Sequence, residues 1–276
     1  MSGDVQGTLV VIGGAEDKEG DCLILRRFVE LAGGDKARLV VVTAAAAEPQ
    51  RTGEMYRSLF RSLGVAEVAV LDVGSRRDAG DPAVTGKIKQ ATGIFFTGGD
   101  QLRITSILGG TRMDEALRRA HRSGAVIAGT SAGASAMSET MIVEGEETEP
   151  PRKNSVQMAP GMGLLREVVV DQHFAQRGRL GRLLAAVAQH PYMLGVGIDE
   201  DTAIVVGPDS TFEVIGSHAV TVVDGRKIEE SNVSETGSKE PLALTNVILH
   251  ILPSGYRFET KKRVPLKAPV HNRDDH

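Results

Sequence analysis

The feature that most constrains this chain is a rhythm. Through its first two-thirds, short runs rich in β-branched residues alternate with helical stretches, and several of the runs end in glycine. Residues 8–12 read as a strand closing on Gly13-Gly14. Residues 22–32 read as a helix stopped by Gly33-Gly34. Residues 38–43 form a nearly continuous apolar strand, the pattern of a strand buried on both faces. A helix over 52–63 ends at Gly64, and strands follow at Glu67–Leu71 and Gly93–Phe96, the latter running into Thr97-Gly98-Gly99-Asp100. Arg112–Arg122 is helical, and residues 125–128 form a short strand entering Gly129. This alternation predicts an α/β fold: a mostly parallel sheet sandwiched by helices.

Beyond about Thr202 the texture changes. Residues 203–206, 211–215, 219–223 and 244–251 look like strands, separated by turn signals such as Pro208-Asp209-Ser210 and Asp224-Gly225. No low-complexity linker precedes them. The expectation is therefore one α/β domain over 1–276, with 203–266 as extra antiparallel C-terminal strands. Residues 229–240 are polar and read as a mobile loop, and 267–276 as a polar, disordered tail.

Bulk properties narrow the function classes. With 41% hydrophobic and 25% charged residues, a chain of 276 residues can bury a core without disulfides or metal. A net charge of -4 argues against non-specific nucleic-acid binding. The single cysteine, Cys22, allows no intrachain disulfide and fits a reducing compartment. Residues 1–6 carry no basic segment leading into an apolar stretch, so no signal peptide is expected. No apolar run approaches the ~18 residues of a membrane span. The expectation is a cytoplasmic protein.

The chemistry concentrates in Gly129-Thr130-Ser131-Ala132-Gly133, which fits G-x-S-x-G between a buried strand and the small residues Ala134-Ser135-Ala136. Such a strand-turn-helix junction lifts a serine hydroxyl above the sheet edge. It also aims the N–H of Ala132 at a developing oxyanion. A serine nucleophile needs a base. Among the seven histidines, His190 and His250 read as structural. His121 lies on a polar helix face, His218 in a turn, and His271 and His276 in the tail. His173, in Asp171-Gln172-His173-Phe174, sits at the C-terminal end of a strand, where open α/β sheets place their sites. The orienting carboxylate is left open by position among Asp199, Glu200 and Asp201, with Asp171 a less accessible choice. The glycines of Thr97-Gly98-Gly99-Asp100-Gln101 offer a second oxyanion donor. Arg177, Arg179 and Arg182 follow His173 and suit a substrate bearing carboxylates, Arg179 and Arg182 sharing a helix face. Glu139, Glu144, Glu146, Glu147 and Glu149 could meet a cationic part of a substrate or form a solvated loop. The histidines show no metal-ligand spacing, and serine chemistry needs no cofactor.

Together, Gly129 to Ser135, Thr97 to Gln101 and Asp171 to Phe174 with the trailing arginines resemble the cyanophycinase family. These are serine peptidases related to aspartyl dipeptidase (peptidase E), with a class I glutamine-amidotransferase-like, flavodoxin-like fold. The resemblance runs from Val10 through the late strand near Pro253. It implies hydrolysis of cyanophycin, a polyaspartate carrying arginine on its side-chain carboxyls, to β-aspartyl-arginine dipeptides through an acyl-enzyme. It further implies Ser131 as nucleophile, His173 as base and Glu200 as orienting acid. Gly99 and Ala132 would form the oxyanion hole. Gln101, Asp171, Gln172, Arg177, Arg179 and Arg182 would shape the pocket. Members of the family commonly form homodimers.

The sequence is compatible with two other functions. One is an aspartyl dipeptidase on the same fold. The other is a non-catalytic nucleotide or polymer binder, suggested by Gly13-Gly14. The run Gly13-Gly14-Ala15-Glu16-Asp17-Lys18 lacks the third glycine and the lysine-serine/threonine step of a phosphate loop. A glutamine amidotransferase would carry cysteine where Ser131 stands, and Cys22 reads as a bystander.

Overall fold

The computed structural model describes residues 7–145, 150–237 and 240–266. In chain order its elements begin β1 (Leu9–Ile12), α1 (Leu23–Leu31), β2 (Arg38–Val42), α2 (Pro49–Ser62), β3 (Glu67–Leu71) and α3 (Pro82–Gln90). Next come β4 (Gly93–Phe96), α4 (Gln101–Leu108), α5 (Arg112–Arg122), β5 (Val126–Thr130), α6 (Ala132–Ser135), β6 (Thr140–Gly145) and β7 (Val156–Pro160). The chain continues with β8 (Val168–Gln172), α7 (Leu180–Gln189), β9 (Leu194–Ile198), β10 (Thr202–Val206), β11 (Thr211–Gly216) and β12 (Ala219–Asp224). It closes with β13 (Ile248–Pro253), β14 (Arg257–Glu259) and β15 (Val264–Leu266).

A nine-stranded sheet runs β15-β14-β11-β10-β1-β5-β4-β2-β3. Its half from β1 to β3 is parallel throughout, as the alternation predicts. The late strands β10, β11, β14 and β15 extend it antiparallel from the β1 edge. Both faces of β1 are buried. Val10 and Ile12 pack toward the cluster of Phe28, Phe60 and Phe95, and Leu9 and Val11 toward the opposite one. That is why β1 shows an unbroken apolar run instead of alternation.

A second, smaller sheet stands beside the first. β8 and β9 leave the main sheet and pair in parallel with each other. β12 and β13 extend them antiparallel, giving a second sheet ordered β13-β12-β9-β8. Val196, Ile198, Val220 and Val222 of this sheet share a buried cluster with Ile204, Val206, Phe212 and Val214 of the first. The outer side is covered by α7, whose Leu183, Ala186 and Val187 pack with Val169 and Val223. Stacking two sheets brings the loops after β8 and β9 over the ends of β1 and β5.

Smaller differences have local causes. α2 starts at Pro49, three residues before the expected 52, because proline at the first helical position gives up an N–H that has no partner there. α3 and α4 were not anticipated, although Asp81 and Asp100 cap them through Ala83 N and Leu102 N. The strand expected over 125–128 runs to Thr130, and the one expected over 244–251 is β13. Within the polar stretch 229–240, Ser231 bridges Leu244, and the Asn232 side chain accepts from Ala243 N. Residues 267–276 and Glu146, Glu147 and Glu149 lie outside the described residues. Among the described residues, no helix is long and apolar enough to cross a membrane.

Candidate active site

Ser131 stands alone between β5 and α6, with φ 53° and ψ −112°. A non-glycine residue occupies that region only when its surroundings enforce it. Here Ser131 N donates to Ile12 O at 3.0 Å, and Ala134 N and Ser135 N donate back to Ser131 O. The flanking glycines are dictated by packing. A Cβ on Gly129 would fall 2.5 Å from Gly133 O, and one on Gly133 would fall 2.5 Å from Phe96 O. Ala132, the first residue of α6, has no intrahelical acceptor for its N–H.

His173 follows β8 with φ 48°, and its N–H donates to Gly13 O at 2.8 Å. Its Nε2 lies 3.0 Å from Ser131 Oγ, and its Nδ1 lies 2.6 Å from Glu200 Oε1. A carboxylate can only accept, so Nδ1 carries the proton and Nε2 presents a lone pair to the hydroxyl. The His173 side chain is 12% exposed and that of Glu200 34%. Burial is the main cause that pushes the imidazole below its ordinary range. The hydrogen bond that Nδ1 donates to Glu200 opposes that shift, and the Arg177 charge adds to it. The net result is an imidazole that is neutral at pH 7 and able to accept a proton. Gln172 Oε1 is the second acceptor near Ser131 Oγ, at 3.4 Å.

Each of the three carboxylates left open by position has a different partner. Glu200 alone faces His173. Asp199 is buried and accepts from Ala175 N and Ala219 N. Asp201 accepts from Asp17 N and the Ser217 hydroxyl. Asp171 is turned away from the imidazole. It is buried, and Arg182 approaches it through Nε at 2.7 Å and through a second nitrogen, while Arg179 Nη1 lies 3.5 Å away.

The expected pocket residues divide in the same way. Arg179 and Arg182 are both buried, and Arg179 donates to Gln172 O at 2.6 Å. With Asp171 they form an ionic cluster behind the strand that presents Gln172 and His173. Arg177 is exposed on the loop that follows His173. Gln101, at the start of α4, donates to Ile142 O and Val143 O and so ties α4 to β6. Gly99 has φ 137°, and a Cβ there would fall 2.0 Å from Ala45 O. Its neighbour Gly98 is the glycine that faces Ser131. His121 is buried on α5, not on a polar face as expected, and its backbone O accepts from Gly7 N. Cys22 is buried.

Two contributors escaped the sequence reading. Gly14 has φ 101°, and a Cβ there would lie 2.3 Å from His173 Cε1, so the imidazole rests on bare backbone. Gly14 O also accepts from Asp201 N at 2.9 Å. The glycine pair after β1 lacks the features of a phosphate loop and instead forms a shelf for the ring. Glu16 is the second. It is buried and accepts from the Tyr56 hydroxyl and from Thr130 Oγ1, each at 2.5 Å, with Lys18 Nζ 3.0 Å away. It thereby joins α2 to the residue that precedes Ser131.

A two-sheet α/β scaffold that sets a serine hydroxyl, an imidazole and a carboxylate in one hydrogen-bonded series is that of an α/β peptidase. The profile of Peptidase family S51 matches residues 9–215, and the chain belongs to that family. It is 42% identical over 267 residues to a cyanophycinase from Geminocystis herdmanii, covering 96% of this chain and 98% of that one. It is 43% identical over 264 residues to a cyanophycinase from Trichormus variabilis, covering 95% and 88%. A crystal structure of a peptidase from an acI-B1 Actinobacterium shares the fold with a TM-score of 0.68. That structure is 23% identical, and the match covers 93% of this chain and 98% of that one.

Proposed function

We propose that the protein is a serine-type exopeptidase that hydrolyses cyanophycin to β-aspartyl-arginine dipeptides. The observation that carries this reading is the Ser131–His173–Glu200 series in a chain 42% identical, over nearly its whole length, to a cyanophycinase. His173 Nε2 takes the Ser131 proton as Oγ adds to the backbone carbonyl carbon. The resulting oxyanion is met by the N–H groups of Gly99 and Ala132. Collapse expels the amine, which leaves with the proton from His173, and the acyl-enzyme remains. Water, deprotonated by the same imidazole, then frees Ser131. Glu200 holds the Nδ1 proton in place and balances the transient imidazolium. Gln101, Asp171, Gln172, Arg177, Arg179 and Arg182 shape the pocket, with the Asp171–Arg182 pair supporting it from behind. Residues 1–276 act as one unit in the cytoplasm.

The test is incubation of the purified protein with insoluble cyanophycin, following clearing and dipeptide release by mass spectrometry. Release by the wild type and not by Ser131→Ala is expected. A well-folded wild type that releases nothing from the polymer but cleaves aspartyl dipeptides would replace the polymer with those peptides. Full activity of Ser131→Ala would discard the mechanism.

A further inference from the structure

Ser131 has an open side that the residues above leave unused. A Cβ placed on Gly98 would lie 3.4 Å from Ser131 Cβ and 3.9 Å from its Oγ, so Gly98 forms the wall of the nucleophile's own pocket. The same glycine borders a cleft of about 580 Å³ whose other walls include Ala46, Glu48, Arg51, Thr52 and Met55. That volume falls in the range of small-ligand sites. The floor is rigid. Thr97 N donates to Val42 O, Asp100 N to Ala45 O, and Arg103 Nε to Ala44 O, which locks the β4–α4 loop onto the segment entering α2. A cleft that is already fixed binds without the cost of ordering itself.

The chemistry of the rim is specific. Arg51 Nη1 and Glu48 Oε2 lie 3.0 Å apart, with both side chains largely in solvent. The Glu48 carboxylate does not cap α2, so capping does not explain its place there. An exposed pair of this kind contributes little and opens readily. The half-exposed Met55 side chain adds an apolar surface beside it. A carboxylate, a guanidinium and an apolar strip side by side complement a ligand that carries the same three features reversed.

We infer that this cleft takes the arginyl side chain of a second repeat unit of the polymer, next to the unit joined to Ser131. The ligand's α-carboxylate replaces Glu48 on the Arg51 guanidinium, its own guanidinium pairs with Glu48, and its methylenes lie along Met55. The inference rests on the cyanophycin reading above. It gives the enzyme a means of engaging the polymer beyond the unit joined to Ser131.

Steady-state kinetics on a soluble two-unit fragment, β-aspartyl-arginine joined twice through the backbone, test it. Glu48→Gln and Arg51→Ala each raise KM by about threefold to fivefold, the range expected for losing one charge pair in solvent. In both variants kcat stays within about twofold, because the lost contact is made equally in the ground and transition states. The exchange Glu48→Arg with Arg51→Glu recovers part of the loss. Labelling of Ser131 by a fluorophosphonate proceeds at the wild-type rate in all variants. An unchanged KM in both single variants, in an enzyme that cleaves the fragment, overturns the inference alone. So does a fall in kcat and labelling together, which signals local damage. A wild type that is labelled but cleaves neither fragment nor polymer overturns the cyanophycin reading and the inference with it.

Discussion

The junctions that present Ser131 and His173 solve the same problem in different ways. Each follows a buried strand, and each holds a non-glycine residue at positive φ, 53° for Ser131 and 48° for His173. At Ser131 the steric demand falls on near neighbours in sequence, although Ser131 N itself is held by the distant Ile12 O. Gly129 and Gly133 are pressed against neighbouring backbone, and the turn feeds directly into α6. At His173 the steric demand falls far away in sequence. Its N–H is held by Gly13 O and its ring rests on Gly14, both well over a hundred positions away in sequence, and its Nδ1 is fixed by Glu200 from the loop after the next strand. A strained functional residue is thus visible in sequence when its turn forces glycine on its near neighbours, as Gly129 and Gly133 flank Ser131, and not when the forced glycine lies on a distant strand end, as Gly14 does for His173.

Substitutions can break this comparison in a graded way. Ser131→Ala removes the group that bonds to substrate, and kcat falls by about 10⁶-fold, as when a triad serine is lost. Rapid-quench product analysis checks this, and a loss of under a hundredfold would take Ser131 out of the chemistry. Glu200→Gln leaves the geometry but removes the charge that fixes the tautomer. A fall in kcat on the order of 10⁴ is expected. If Asp199→Asn or Asp201→Asn matched it while Glu200→Gln did not, the assignment of the third member would move.

Asp171→Asn acts on stability more than chemistry. It leaves the buried Arg182 without its bidentate partner and costs about 3–5 kcal/mol, read from urea unfolding midpoints. An unchanged midpoint with a raised KM would instead make Asp171 a direct substrate contact. Gly14→Ala sharpens the claim that His173 is held from a distance. The added methyl must displace the ring, and a misplacement of this size costs about a hundredfold in kcat. The thermal midpoint falls as well, because alanine is strained at φ 101°, so kcat is read well below it.

The smallest effect is on pH dependence. His173 titrates below its ordinary value because it is buried and because the Arg177 charge disfavours the imidazolium. Activity therefore rises as pH climbs through that lowered pKa and is complete by neutral pH. Removing one of the lowering influences with Arg177→Gln raises the pKa, so the acid limb of kcat/KM moves to higher pH. A limb that stays in place or moves down would show that the Arg177 charge does not reach the imidazole.

Much of the parallel half of the main sheet was legible, because strands buried on both faces announce themselves as apolar runs closed by glycine. β3, β4 and α5 match their expected bounds residue for residue. The second sheet was not legible. β8 and β9 carry the same kind of apolar run as β1 or β2, and burial alone does not say against which partner a strand is buried. α3 and α4 were missed for another reason. They are 9 and 8 residues long, too short for helical periodicity to stand out, and only their aspartate caps mark them.

The site shows the same division. The sequence by itself determined the elbow around Ser131, since the steric demand of that turn falls on residues one or two positions away. It also determined that His173 follows a strand and that an acidic trio follows the next one. Position in the chain left that trio open and the family resemblance pointed to Glu200; the tertiary structure turns Glu200, and not Asp199 or Asp201, to the imidazole. It alone showed that Asp171 and Arg182 spend their charges on each other, and that Gly14 and Glu16 sit under the site. The physical reason is that hydrogen bonds and van der Waals contacts act over a few ångströms in space. Stacking one sheet on the other brings residues together whose separation along the chain carries no trace of that contact.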